Sequence, residues 1–105
     1  MLSNKKILIT GINSHLAKKI SKSLKQKNFI LYGITSTKIY NKNYYSEIGK
    51  IDNYNFLMKI VPRCNFILHM GWDRNFSKNQ NLNLLKKILK IKKKNAKIIF
   101  FSSVA

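Results

Sequence analysis

The chain has 105 residues and a formal net charge of +18, with 21 lysines and arginines against three acids. That length allows one small domain with a single core, and a hydrophobic content of 45% excludes a disordered chain. The one cysteine excludes an internal disulfide framework and fits a reducing compartment. Because the apolar runs are far shorter than the roughly 20 residues of a membrane span, and the start of the chain lacks a signal-peptide core, we expect a cytoplasmic protein.

Short apolar runs alternate along the chain with segments of helical periodicity. The sequence predicts five strands, at residues 6–10, 29–33, 45–51, 65–70 and 97–101. Between them it predicts three helices, at residues 14–27, 53–61 and 79–94. Strands that are apolar on both faces and separated by helices are typical of a parallel sheet covered on both sides. Right-handed crossovers then predict a doubly wound α/β fold, Rossmann-like, with strand order 3-2-1-4-5.

The helix ends carry their own signals. The Ser14 hydroxyl is a candidate N-cap of the first helix, whose apolar stripe consists of Leu16, Ile20 and Leu24, with Ala17 beside it. We expect the second helix to end before Pro62. The third helix has a stripe of Leu82, Leu85 and Leu89, with Leu84, Ile88 and Ile91 alongside. We place Lys92–Lys94 in its last turn, where cations favour the negative end of the helix dipole.

The turn between the first strand and the first helix is a candidate anion site. In open α/β sheets, ligands bind beyond the carboxyl ends of the strands. Gly11 suits a tight turn because it has no Cβ, and the helix that follows presents free N–H groups at the positive end of its dipole. These features together predict a phosphate site, although a glycine at a strand end is also common in ordinary turns.

The order of four motifs resembles the amino-terminal part of the extended short-chain dehydrogenase/reductase family, the NAD-dependent epimerase/dehydratases of nucleotide sugars. Thr10 and Gly11 match the start of its T-G-x-x-G-x-x-G fingerprint, with Ser14 and Ala17 in place of the second and third glycines. Three later segments are similar to the family's fourth strand, the start of its next helix and its F-S-S-V-A stretch, at residues 66–71, 79–85 and 99–105. The resemblance therefore spans essentially the whole chain.

This resemblance implies an NAD(P)-binding domain over residues 1–105. The cofactor-binding candidates that it implies are Gly11, Ser14, His15 and Leu16 at the pyrophosphate, Thr35 and Ser36 at the ribose, Ile51 at the adenine, and Gly71 and Trp72 at the nicotinamide. Family members that bind NAD often have an acid after the second strand, whereas this chain has Thr35–Lys38 there. The hydroxyl-rich, basic segment favours NADP over NAD. Trp72 is equally well interpreted as a cover for the sheet edge.

The catalytic part of the family pattern is incomplete in this sequence. Ser103 aligns with the family's serine, whose hydroxyl holds the reacting oxygen of the substrate. The family's Tyr-x-x-x-Lys pair, in which the lysine lowers the pKa of the general acid/base tyrosine, has no counterpart at any of the five tyrosines. We therefore expect a domain that is truncated before that pair and before the substrate lobe and is inactive alone. It is interpreted as a fragment, a truncated reading frame or one half of a split gene whose missing part a second chain supplies.

Two other interpretations remain. The charge is compatible with a lysine-rich protein that binds nucleic acid or anionic surfaces, with a candidate patch at Lys86, Lys87, Lys90, Lys93 and Lys94. However, 19 of the 21 basic residues are lysine, which fits an A/T-rich codon composition and leaves few arginines for bidentate contacts. The chain is also compatible with a non-functional gene remnant. His15, His69 and Cys64 share no metal-ligand spacing; we expect His15 to be solvated and His69 to be packed against a neighbouring loop.

Overall fold

A computed structural model describes residues 5–35, 44–70 and 78–100. Its strands are β1 (Lys6–Thr10), β2 (Ile30–Thr35), β3 (Glu47–Lys50), β4 (Phe66–His69) and β5 (Lys97–Phe100). Its helices are α1 (His15–Gln26), α2 (Tyr54–Ile60) and α3 (Lys78–Ile91), with a 3₁₀ turn at Val61–Arg63. No helix in these ranges is long and apolar enough to cross a membrane.

The five strands form one parallel sheet in the order β3-β2-β1-β4-β5. The predicted doubly wound fold and strand order are confirmed. The central strand β1 places Thr10 beside Ile34 of β2 and beside His69 of β4. Since the chain leaves β1 toward β2 and later returns to the other side of β1 as β4, the crevice between the carboxyl ends of β1 and β4 is the topological switch point.

The two faces of the sheet carry separate cores. On one face, α2, the 3₁₀ turn and α3 cover a cluster that includes Leu8, Leu57, Ile67 and Ile88. On the other face, α1 covers a cluster of Ile7, Ile9, Ile12, Ala17, Leu31 and Leu68. β5 lies at the edge of the described sheet, where Ile99 is 46% and Phe100 55% exposed. The apolar character predicted for both faces of the strands is therefore realised as burial in the centre of the sheet but not at β5.

The buried stripes of two helices differ from the prediction. In α1, Leu16 is 48% exposed, and the buried residues are the small Ala17 and Ser21. In α3, Leu89 is 42% exposed, whereas Leu84 and Ile88 are buried. The prediction was therefore wrong for Leu16 and Leu89. Small side chains bring the backbone of α1 close to the strands, and the Ser21 hydroxyl donates to the Lys18 carbonyl at 3.0 Å, so its burial leaves no unpaired donor.

Several element boundaries also differ. Gly33 lies inside β2 rather than at its end. A Cβ at this position would be 2.9 Å from Ile12 Cγ2, so the close packing of the two residues requires glycine. The predicted end of the second helix before Pro62 is confirmed, because α2 ends at Ile60; Pro62 lies in the 3₁₀ turn that follows, whose first positions tolerate a proline. α3 ends at Ile91, so Lys92–Lys94 follow the helix instead of forming its last turn.

Candidate functional site

The turn after β1 is built on a left-handed residue. Gly11 has φ +67°, a backbone conformation that side chains with a Cβ rarely adopt. Its N–H donates to the Ile34 carbonyl at 2.9 Å, and its own carbonyl accepts from the Ser14 N–H at 3.2 Å. The turn is thus tied to the end of β2 on one side and to the start of α1 on the other. The sequence signal at Gly11 corresponds to a real conformational requirement.

Ser14 is the N-cap of α1, as predicted. Its side-chain oxygen accepts from the Ala17 N–H at 3.1 Å. The N–H groups of His15 and Leu16 belong to the first turn of a helix and therefore have no intrahelical acceptor. Both residues are exposed, and no acid lies in this first turn. The positive end of the α1 dipole therefore faces solvent at the carboxyl edge of the sheet, where it can accept an anion.

A side-chain clasp joins this turn to the neighbouring strand end. Asn13 Nδ2 donates to Thr35 Oγ1 at 3.0 Å, and the Thr35 carbonyl accepts from the Ile51 N–H at 2.9 Å. Thr35 is buried, so its hydroxyl serves the clasp rather than standing free at the surface. The clasp fixes the loop after β1 against the ends of both β2 and β3.

A second polar cluster lies at the switch point between β1 and β4. Thr10 Oγ1 is 3.0 Å from His69 Nδ1 and also accepts from the Met70 N–H at 3.2 Å. His69 is only 6% exposed, and this burial lowers the pKa of its imidazole below 6.5. The ring therefore stays neutral near physiological pH. The predicted packed histidine is confirmed, but its partner is a strand residue rather than a loop.

The structure brings six of the predicted cofactor residues to the carboxyl edge: Gly11, Ser14, His15, Leu16, Thr35 and Ile51. His15 is exposed, as expected, and the half-buried Ile51 packs against the core on the α2 and α3 face. The four other candidates, Ser36, Gly71, Trp72 and Ser103, lie outside the described residues. Their roles therefore stay predictions.

Two site residues were missed by the sequence reasoning. Asn13 and Thr10 each form the side-chain contact that holds a neighbouring strand end in place. A polar residue directly beside a turn glycine is a usable signal for Asn13, because asparagine side chains commonly bond near turns. Thr10 was read only as part of a motif, and its contact with a residue 59 positions away has no local signature.

The described residues provide neither a metal-binding cluster nor a reactive thiol. Among the described residues, no group of three histidines, cysteines or acids is placed to hold a metal ion. Cys64 is buried, and its thiol donates to the Ile60 carbonyl at 3.4 Å. Burial raises the pKa of this thiol to about 12, against the opposing charges of Lys6 and Lys93. A thiol with that pKa is unreactive near neutral pH.

Comparisons with known proteins show which solved structures have a similar fold. No family model matches the sequence, and no curated protein matches it. Among solved structures, a uronate dehydrogenase variant from Agrobacterium tumefaciens, complexed with NAD, has a TM-score of 0.70 at 20% identity over 94% of this chain and 41% of its own. UDP-N-acetylglucosamine 4-epimerase from Bacillus cereus has a TM-score of 0.66 at 19% identity over 92% of this chain and 36% of its own.

A third structure gives the same result. A short-chain dehydrogenase/reductase superfamily protein from Agrobacterium tumefaciens with bound NAD has a TM-score of 0.65 at 14% identity, over 90% of this chain and 31% of its own. This chain therefore spans about two-fifths or less of the length of these three proteins. At the level of the fold, the resemblance predicted from the motifs is confirmed: the described residues form a Rossmann-like fold that is similar to part of each of these three structures.

Proposed function

We propose that this chain is the dinucleotide-binding part of an NAD(P)-dependent dehydrogenase or epimerase of the extended short-chain family. The observation that carries the proposal is the turn after β1, where Gly11 at φ +67° leads into the exposed first turn of α1 at the switch point of a 3-2-1-4-5 sheet. This combination is the phosphate-binding geometry of doubly wound folds. Structural neighbours with bound NAD support the same cofactor class.

The residues at this edge fit a pyrophosphate with one modification. The N–H groups of His15 and Leu16 are available to an anion, and the Asn13–Thr35 clasp holds the loop that presents them. Ser14 stands where the family pattern has a glycine, and its side chain caps α1 through the Ala17 N–H. Because the serine side chain occupies part of the approach to the helix end, we expect the affinity for the cofactor to be lower than a glycine would give.

The finer parts of the proposal concern cofactor choice and substrate. Thr35 ends β2, and Ser36, Thr37 and Lys38 follow it in the sequence without an acid, which favours NADP because no carboxylate repels the additional phosphate. When bound, the nicotinamide would supply hydride transfer to or from a nucleotide-sugar substrate. No tyrosine of this sequence has a lysine four residues later, so we expect the 105-residue chain to bind cofactor without turning over a substrate. A second chain that supplies Tyr-x-x-x-Lys would restore the reaction. We also propose that the protein is located in the cytoplasm.

Isothermal titration calorimetry with NAD and NADP tests the cofactor proposal. We expect saturable binding of at least one of them, with a dissociation constant between the micromolar and millimolar ranges.

Two variants test the role of Ser14 in cofactor binding. Ser14→Gly and Ser14→Ala both remove the capping hydroxyl. Glycine at an N-cap costs only a few tenths of a kcal/mol, whereas alanine costs about 1 kcal/mol. We expect tighter cofactor binding for Ser14→Gly alone, because only this change removes the Cβ.

Two outcomes contradict the proposal. If neither cofactor binds to the wild-type chain at millimolar concentration, cofactor binding is wrong. If the double variant Lys93→Gln/Lys97→Gln, which changes the opposite edge of the sheet, weakens cofactor binding more than Gly11→Ala does, the cofactor is held by lysine charge and not by the turn after β1. Turnover of a nucleotide sugar by the isolated chain contradicts only the argument from the missing tyrosine–lysine pair.

A further inference from the structure

The amino-terminal edge of the sheet contains a cavity of its own. It has a volume of about 350 Å³ and is lined by Lys5, Asn65, Phe66, Lys93, Asn95 and Lys97. Lys5 precedes β1, Asn65 precedes β4, which begins at Phe66, and Lys97 begins β5. β4 has four residues, and a strand rises about 3.3 Å per residue, so the two edges lie about 13 Å apart. The cavity is therefore separate from the turn after β1.

The backbone around this cavity is held in place by hydrogen bonds. Asn65 Oδ1 accepts from the Lys6 N–H at 2.9 Å, and the Asn65 N–H donates to the Lys6 carbonyl at 2.8 Å. The Asn65 carbonyl accepts from the Lys97 N–H at 3.1 Å, and the Ala96 N–H donates to the Lys93 carbonyl at 3.0 Å. The lysine side chains thus extend from three backbone segments whose relative positions are fixed.

The lining is cationic and has no acidic member. Three of its six residues are lysines, and two are asparagines, whose side-chain amides donate hydrogen bonds. The Lys5 ammonium lies over the Phe66 ring at 5.8 Å from its centre, a cation–π contact that limits its positions. The two acids in the described residues are distant: Glu47 begins β3 on the other side of the sheet and pairs with Lys59 at 3.1 Å, and Asp52 follows β3 at the carboxyl edge.

We propose that this cavity binds a small polyphosphate anion, such as the linked phosphates of a phosphorylated metabolite. Three ammonium groups match the three or more negative charges of linked phosphates better than the two of a single phosphate. The volume falls in the range of about 300–1,000 Å³ that is typical of small-ligand sites. A single nucleic-acid strand, in contrast, is bound along a groove by several aromatic side chains in succession, and this lining has only Phe66.

Calorimetry with inorganic tripolyphosphate on the full chain tests the proposal. The cavity variant is Lys93→Gln/Lys97→Gln, and its charge-matched control is Lys19→Gln/Lys22→Gln on the exposed face of α1. Loss of two charge-assisted contacts is expected to weaken binding about tenfold or more. We expect the control to change the dissociation constant less than about twofold at moderate salt, because distant exposed charges are screened. No binding to the wild-type chain, or an equal loss in both double variants, overturns the proposal.

Three further titrations test which anion binds and where it binds. Orthophosphate is expected to bind more weakly than tripolyphosphate, and equal affinities overturn the assignment of linked phosphates. Saturating NAD is expected to leave the affinity for tripolyphosphate unchanged; competition between them places the anion at the carboxyl edge and overturns the proposal. If a single-stranded oligonucleotide binds more tightly than tripolyphosphate, and equally to both double variants, the proposal is overturned, because the binding then depends on lysines spread over the surface and not on the cavity.

Discussion

The two edges of this sheet present positive potential in different ways. The carboxyl edge uses backbone N–H groups at the start of α1, held by Gly11 and by the Asn13–Thr35 clasp. The amino edge uses the ammonium groups of Lys5, Lys93 and Lys97, which stand on long side chains around a cavity. The first arrangement is fixed by backbone geometry, and the second depends on charge.

The difference has consequences for both stability and binding. Backbone dipoles need no side-chain ordering when a ligand arrives, whereas each lysine loses up to about 2 kcal/mol of rotamer freedom when it is fixed. A fixed edge is sensitive to substitutions that change its backbone or its buried hydrogen bonds. A charged edge tolerates substitution but is sensitive to salt. Substitutions that remove the buried hydrogen bonds or the turn glycine of the carboxyl edge should therefore destabilise the fold, and substitutions of the three amino-edge lysines should leave its stability nearly unchanged.

The largest effect is expected for Thr10→Val. Valine keeps the shape of threonine but leaves His69 Nδ1 and the Met70 N–H without their partner. Leaving buried polar groups unpaired should lower the free energy of unfolding by about 2–3 kcal/mol, as measured by urea denaturation. Thr10→Ser keeps the hydroxyl and should lose only about 1 kcal/mol with its methyl group. At the amino edge, Lys97→Gln should stay within about 0.5 kcal/mol of the wild type; a loss as large as that of Thr10→Val contradicts the comparison.

A smaller effect is expected for Gly11→Ala. A Cβ at Gly11 would lie 3.7 Å from Met70 Cβ, in ordinary contact, so the penalty comes from the φ of +67° and should be about 1–2 kcal/mol. Asn28 has the same φ after the end of α1, and Asn28→Ala is therefore a control that places alanine at a left-handed position away from the turn, with a smaller cost because Asn28 already has a Cβ. Both variants should be destabilised, but only Gly11→Ala should lose cofactor affinity. Equal losses of affinity would show that general destabilisation, and not the turn, controls binding.

The smallest effect concerns pH and the buried His69. Burial lowers the pKa of this imidazole in the folded state from 6.5, so the unfolded chain takes up a proton before the folded chain does. The stability that the neutral ring contributes is present above about pH 6.5 and is lost as the pH falls, by at most about 1.4 kcal/mol per pH unit. Urea midpoints between about pH 7.5 and 5.5 should therefore fall for the wild type and for His15→Gln. His69→Gln should flatten this dependence, and an unchanged slope would exclude His69 as its source.

Local sequence features were sufficient for the architecture and for part of the site. Apolar runs separated by helical periodicity, together with the handedness of crossovers, led to the strand order that the structure has. Gly11 and Ser14 were identified because a turn and an N-cap depend on neighbours only a few residues away. The same local rules failed at Gly33, since the need for glycine there comes from Ile12 on another segment.

The remaining features depend on packing between distant segments. Periodicity showed that α1 and α3 each have an apolar face, but the sheet decided that Ala17 rather than Leu16, and Ile88 rather than Leu89, would be buried. The Thr10–His69 and Asn13–Thr35 contacts join residues 59 and 22 positions apart, and their geometry exists only once the strands are in register. The sequence by itself determined the number, order and polarity of the elements, because these follow from local propensity and chain connectivity. Tertiary structure alone assembled Lys5, Lys93 and Lys97 around one cavity, because register and packing decide which distant side chains meet.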